Sequence, residues 1–416
     1  MKKLSLLLSL CCLILAICGA NVYAFGEKEV TLTLAIPGFD PGTRTHIEEL
    51  LQTDFAKQYP HITVETVLIP NTEWGDYFTK IKTMMAGGNA PDVARVAIEG
   101  IQMMAEKNMA LPLNDFIEAH PEYVEDYEDL HPNLQSPFVL DGEIYGLTWD
   151  WNNMVTHINL DMLEEVGLSF PEESWGTEEF LKYTKALTRE VDGQKIYGCA
   201  LPPFYFGMEA FLYNFNAAVL TDDMSQSALD TPEAKEAFQF FHDLIYTHKV
   251  APVPDLDPAQ MFINKQVAMA FAGRWPIGSW RENNLNYDVQ YIPSFKTNQV
   301  IFGSGAWPVI KSTKHPEEAY ILAAYLSGVK SQSTLTEAHI QTRISVMDEL
   351  LPKSHPNNTM LYRKSADIAR AVQSPPEYPE ISEIFMRYFN AIMTNAMTVE
   401  DGLQAAHEEI NIVLSE

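Results

Sequence analysis

From Tyr77 to Val93 the chain reads YFTKIKTMMAGGNAPDV, an apolar helical stripe that runs through one tight turn into a short apolar segment. Trp74, Tyr77, Phe78, Ile81, Met84 and Met85 recur at three- and four-residue spacing, so one helical face is apolar. Gly87 is expected at the left-handed C-terminal cap, and Pro91 forbids the helix to resume. A helix turned so abruptly into a strand belongs in a layered α/β lobe. The crevice beyond the carboxyl ends of such strands is where α/β proteins hold small molecules.

The same alternation extends on both sides. Thr31 to Ile36 alternates as a strand, Ile47, Leu50, Leu51 and Phe55 trace a helical face, and Ile62 to Ile69 forms the next strand. After the helix comes a strand at Val93 to Ala97, then a helix ending near Asn108, which together read as a doubly wound sheet. Pro112, Pro121, Pro132 and Pro137 punctuate an acidic, less regular region, and Asp141-Gly142 reads as a hairpin turn. A second run of alternation follows, with helices around Leu163, Phe180 to Leu187 and Phe238 to Ile245 and a strand at Val267 to Phe271. Beyond Trp307 the pattern is mostly helical, with Ala319 to Leu326, Ala366 to Val372 and Ile381 to Met393 periodic.

Lys2 and Lys3, an apolar run from Leu4 to Ile17 and the small residues after it read as an export signal, residues 1–24. Val22-Tyr23-Ala24 fits release before Phe25, whereas Leu15-Ala16-Ile17-Cys18 resembles a lipoprotein box that would leave a lipid on Cys18. The expected location is therefore periplasmic, or anchored to the outside of the cell membrane. Cys11, Cys12 and Cys18 lie in or beside the signal, leaving Cys199 alone in the globular part and no intrachain disulfide framework. Twenty-eight basic against 56 acidic side chains give a formal net charge of −28, which repels DNA and RNA.

Six segments, in order, resemble the bacterial extracellular solute-binding proteins, sugar-binding family, the maltodextrin-binding-protein-like receptors of ABC importers. They are FAKQYPHITVETV (55–67), MAGGNAPDV (85–93), ALPLNDFI (110–117), DGEIYGLTWDWNNMVTHIN (141–159), VAMAFAGRWPIGSW (267–280) and FGSGAWPVI (302–310). The resemblance implies a two-lobed α/β fold of the periplasmic-binding-protein type, with a hinge of two or three crossing segments near 147–153, 302–307 and 342–346. The N-terminal lobe is expected at 25–148 and about 306–342, the C-terminal lobe at 149–305 and about 343–416. It also implies a monomer that captures a sugar or oligosaccharide and passes it to ABC permease transmembrane subunits. Where the family commonly has Gly-Pro-Trp, this chain has Gly273-Arg274-Trp275, an added donor that bears on the identity of the ligand.

A sugar site requires flat apolar surfaces for pyranose C–H faces and planar polar groups for hydroxyls. Trp149, Asp150, Trp151 and Asn152 supply both kinds at a crossing segment. Strand alternation predicts the two tryptophans on one face and the two polar residues on the other. Trp275, with Arg274 beside it, is a stacking candidate or a core residue of the second lobe. Glu99 is a hydroxyl acceptor or a helix-start acid, and Phe39 and Asp40 belong to the first strand-to-helix loop, where Asp40 is alternatively a helix cap. Tyr205 and Phe206 form an aromatic pair in a turn, and Trp307 either lines the cleft or packs the hinge.

No Gly-x-Ser-x-Gly elbow, phosphate loop, Cys-x-x-Cys pair or zinc-helix histidine pair is present, and the 11 histidines have no ligand spacing, so no metal or cofactor is expected. Two readings stand beside sugar binding: a cationic solute such as a polyamine held by Asp40, Glu99 and Asp150, and a secreted glycosidase with two flanking carboxylates.

Overall fold

The computed structural model describes residues 28–38, 41–71, 74–124, 126–254 and 256–415. The expected export signal, with Cys18 and both candidate cleavage points, and the candidate residues Phe39 and Asp40 lie outside them.

The first lobe is built on β1 (Val30–Pro37), which pairs in parallel with β2 (Ile62–Ile69) on one side and β3 (Val93–Ala94) on the other. α1 (Pro41–Leu50) and α2 (Trp74–Ala86) are the crossovers, and α2 buries Tyr77, Phe78 and Ile81 as its periodicity predicts. The left-handed residue that closes α2 is Gly88 (φ 74°), not Gly87. Gly87 still donates helically to the Thr83 carbonyl (3.0 Å), while Gly88 and Asn89 donate to Met85 (3.1 Å) and Met84 (2.9 Å), so the cap falls one residue later. Asp92 then fastens the turn to the sheet, its carboxylate accepting from the Thr33 N–H (2.8 Å) and the Thr313 hydroxyl (2.6 Å). β4 (Val96–Ala97) and α3 (Ile98–Glu106) follow, and Asp141-Gly142 makes the expected two-residue hairpin turn with both φ positive.

The chain leaves this lobe through β5 (Thr148–Asn153) and, after Met154, enters β6 (Val155–Asn159) of a second sheet. That sheet adds β7 (Arg189–Val191), β8 (Gln194–Ala200), β9 (Val267–Ala272) and β10 (Tyr287–Gln290), in the order β10-β6-β9-β8-β7. α4 (Tyr205–Asn214) follows β8 and is buried almost throughout. β11 (Ile301–Ala306) carries the chain back, antiparallel to β5 and ending against β4. β12 (Ile340–Gln341) pairs with the other edge of β5, and β13 (Arg370–Ala371) with β11. Helix was expected over Ala366–Val372, but it ends at Ile368. Arg370 and Val372 donate instead to the carbonyls of Val300 (2.8 Å) and Phe302 (3.0 Å), because β11 presents an open ladder edge there. α5 (Tyr378–Met393) packs on α2 and α3 of the first lobe and on α4 of the second. The result is two α/β lobes joined by a small sheet of crossing strands.

The crossing segments are held by buried Gln332. Its amide oxygen accepts from the N–H groups of Thr342 (2.8 Å) and Arg343 (2.9 Å), and its nitrogen donates to the carbonyls of Thr148 (3.2 Å) and Ser327 (3.1 Å). Gln332→Leu leaves two buried N–H groups without an acceptor, so it is expected to cost about 3 kcal/mol, read as a lower urea midpoint.

Candidate ligand-binding cleft

Over β5 and β11, between the lobes, lies a cavity of about 540 Å³, within the range of small-molecule sites. Its polar centre is Asp150 on β5. The carboxylate accepts from Arg95 Nη2 (2.9 Å) and lies 2.6 Å from His339 Nδ1, while Thr43 Oγ1 meets the other ring nitrogen of His339 at 3.0 Å. Arg95 sits between β3 and β4, its N–H bonded to the Ala35 carbonyl (2.9 Å), and its guanidinium lies over the rings of Trp149 (5.1 Å) and Trp74 (5.7 Å). Asp150 faces Gly305 across the ladder; a Cβ there would come within 2.5 Å of its Oδ1, so glycine leaves the room the carboxylate occupies. Asp150, Arg95 and His339 are all buried, and a buried ion pair broken on one side leaves an uncompensated charge.

Aromatic rings supply the rest of the wall. Trp74 stacks on Phe78 (5.7 Å, 14°), Phe206 lies beside Gly303, and Trp275, 42% exposed, sits edge-on to Phe204 (5.9 Å). Gly273 makes the Trp275 position available, since a Cβ there would fall 2.2 Å from the indole and 2.9 Å from Asn152 Oδ1. Glu99, in the first turn of α3, is 6% exposed, and its Oε2 has no hydrogen-bond partner among the described residues. Burial pushes its carboxyl up to about 7, against a smaller opposing effect of a backbone hydrogen bond.

Of the candidate residues, Glu99, Asp150, Trp151, Asn152, Tyr205, Phe206 and Trp275 line this cavity. Trp149, Trp307 and Arg274 do not. Trp149 is fully buried, edge-on to Trp307 (5.1 Å) and donating to Ser331 Oγ (3.2 Å), so both rings pack beneath the crossing strands. The predicted alternation fails here because the β5–β11 register slips: Gly305 faces Asp150 and Ala306 faces Thr148, leaving Trp149 unopposed. Trp149 and Trp151 consequently join different apolar clusters, and Asp150 and Trp151 both reach the cavity. Arg274 turns away, donating to the carbonyls of Glu337 (2.9 Å) and His355 (3.4 Å) with its guanidinium over Tyr362 (5.2 Å). The departure from Gly-Pro-Trp therefore braces the segment before β12 rather than adding a donor to the cleft. Asn152 lines the wall with its amide engaged, accepting from the Arg274 N–H (2.7 Å) and donating to the Ala338 carbonyl (3.3 Å). Sequence reasoning missed Trp74, Arg95, His339 and Tyr378 as cavity residues. A charge at position 95 inside an apolar strand was the one local signal, since a buried charge demands a partner. Among the described residues no group of three or more His, Cys, Asp or Glu is placed to hold a metal, and no helix is long and apolar enough to cross a membrane.

The family model for bacterial extracellular solute-binding proteins matches residues 51–358. The chain belongs to this family. A putative binding protein of Brucella abortus strain 2308 is 24% identical over 326 residues, 74% of this chain and 75% of that one. An ABC substrate-binding protein of Listeria monocytogenes, solved in complex with cycloalternan, superposes with a TM-score of 0.82 at 22% identity, over 92% of this chain and 99% of that one. A solute-binding protein of an ABC transporter from Thermotoga lettingae, solved with α-D-tagatose, gives 0.79 at 25% identity, with coverage of 92% and 99%. The two-lobed α/β architecture is the periplasmic-binding-protein fold, and membership places this chain among extracytoplasmic receptors for solutes.

Two outcomes follow for this solute-binding protein. Asp150→Ala takes a buried carboxylate away from the Arg95 guanidinium and from His339 and is expected to cost about 3 kcal/mol in chemical denaturation. Glu99 holds its proton more tightly folded than unfolded, so the stability it contributes is full below its ordinary value of 4.5 and lost as pH rises through about 7. Glu99→Gln should accordingly raise the melting temperature at pH 8 and leave it nearly unchanged at pH 4.

Proposed function

We propose that this protein is the receptor of an ABC importer and that its ligand is a sugar or oligosaccharide, bound in the cleft and released unaltered to membrane permease subunits. The observation that carries the reading is the make-up of the cavity wall. Trp74, Trp151, Phe206 and Trp275 present flat apolar surfaces, and Asp150, Arg95 and Glu99 stand among them as planar polar groups. Rings of that kind cover pyranose C–H faces, and carboxylate and guanidinium groups meet hydroxyls at fixed angles. The ligands held by the two solved relatives, cycloalternan and tagatose, support the same class.

Binding is coupled to movement of the lobes. The wall draws α2, Arg95 and Glu99 from one lobe and Phe204, the first turn of α4 and Trp275 from the other, so a guest touching both favours the closed form through contacts the open form lacks. In this reading the hinge lies in the crossing segments near 147–153, 302–307 and 342–346, with lobe limits as expected from the sequence; the pairing of β5 with β11 and β12 supports it. The receptor works as a monomer outside the cytoplasm, by the signal at residues 1–24, and carries a lipid if cleavage precedes Cys18.

Ligand that binds only the folded protein raises its melting temperature with the logarithm of concentration over Kd. A thermal-shift screen of mono- and oligosaccharides, polyamines and other small solutes is expected to pick out carbohydrates, and a response confined to non-carbohydrate amines would overturn the assignment. Trp275→Ala should weaken binding of the selected sugar by about 2 kcal/mol or more with the fold retained, as expected for one large aromatic contact.

A further inference from the structure

One part of the cavity wall leaves a buried carboxyl oxygen open to a guest. Glu99 Oε2 and the Tyr205 hydroxyl are buried without a hydrogen-bond partner among the described residues, and both residues line the cavity. Glu209, on α4, stands one helical turn beyond Tyr205 and is fully buried. Its Oε1 accepts from the Tyr213 hydroxyl (3.0 Å) and the Gln373 N–H (3.4 Å), while its Oε2 is likewise unpartnered. Glu99 and Glu209, carried by helices of different lobes, are close enough to raise each other's cost of ionisation, and both act on Tyr205. Around them stand Tyr213, whose hydroxyl burial holds well above the usual phenol range, and Tyr378. Arg370 is the cation that acts on Glu209, but it lies over the Tyr213 ring (4.6 Å) and donates to Asp222 (2.6 Å). The cavity's own guanidinium, Arg95, is already engaged with Asp150.

Glu99 Oε2 therefore waits on a donor at the cavity, beside a Tyr205 hydroxyl able to accept a second one, while Glu209 Oε2 lies behind the wall. A sugar hydroxyl brings one donor and also asks for one, whereas an ammonium brings three donors and no acceptor. A neighbouring ring suits the same group, since Trp275 is 42% exposed in this wall. Taking the sugar reading as ground, we infer that the Glu99–Tyr205 wall, with Glu209 behind it, selects an amino sugar, the ligand's ammonium sitting against Glu99. Burial pushes the Glu99 and Glu209 carboxyls up to about 7 and about 8 in the free protein. An arriving ammonium reverses that cost at Glu99, so binding near pH 6, where a free amino sugar is already an ammonium and Glu99 still holds its proton, releases a proton to solvent.

The test is calorimetry on the full receptor with matched pairs: glucosamine and glucose, galactosamine and galactose, mannosamine and mannose, chitosan disaccharide and cellobiose. Titrations run at pH 6 in two buffers of different ionisation enthalpy. The expected result is that at least one amino member binds about tenfold or more tightly than its hydroxyl counterpart, with net proton release, as a new charge-assisted bond predicts. Glu99→Gln, isosteric and expected to fold, should erase both the preference and the proton release. Preference for the hydroxyl members, equal binding within every pair, or a preference that survives in Glu99→Gln overturns the inference while leaving the sugar reading intact. Binding of no carbohydrate of either kind overturns both.

Discussion

Asp150 is where three separated stretches of chain are made into one site. It stands on the outgoing crossing strand, accepts from Arg95 of the first lobe and meets His339 just before the third segment. None of these contacts is near in sequence, and each depends on burial that the others help to create. A charged pair this deep contributes little net energy over a well-packed apolar substitute. What it contributes is position: the pair requires Gly305 opposite, holds Arg95 between two indole rings and sets the floor on which the cleft is built.

Around that floor the architecture divides its work by element type. Strands β5 and β11 carry the chain between sheets at a place where the ladder is narrow and one residue slips, so the lobes are connected by few bonds. The cavity wall is drawn from both sides of this connection, and α5 packs against helices of each lobe. In the proposed closing of the lobes, a ligand that touches both walls gains contacts only in the closed arrangement, and that difference is the quantity able to move the equilibrium. The buried Glu99 carboxyl belongs to the same wall, with one oxygen unpartnered among the described residues.

Much of the fold was legible because it is local. The apolar stripe of α2, the alternation of β1 and β2, and the Asp-Gly hairpin each depend on neighbours a few residues apart, and each forms where the periodicity placed it. Errors arose where a single residue decides a hydrogen bond. Gly88 rather than Gly87 closes α2 because the helical ladder still satisfies Gly87, and the helix over 360–368 stops because Arg370 finds a strand edge. The tryptophans of β5 were misassigned for a related reason: a bulge opposite Gly305 is invisible to a rule that assumes strict alternation.

By itself the sequence determined the succession of helices and strands, the acidity that excludes nucleic acid, and the aromatic and acidic residue types available for a site, since these follow from composition and spacing. Only the tertiary structure decided which of those residues share a cavity. Trp149, Trp307 and Arg274 carry the right chemistry and face elsewhere, while Trp74, Arg95 and His339 reach the cleft from stretches up to about 265 residues apart in the chain. The physical reason is that side-chain direction at a crossing strand is set by register and by long-range pairing, and neither leaves a local pattern to read.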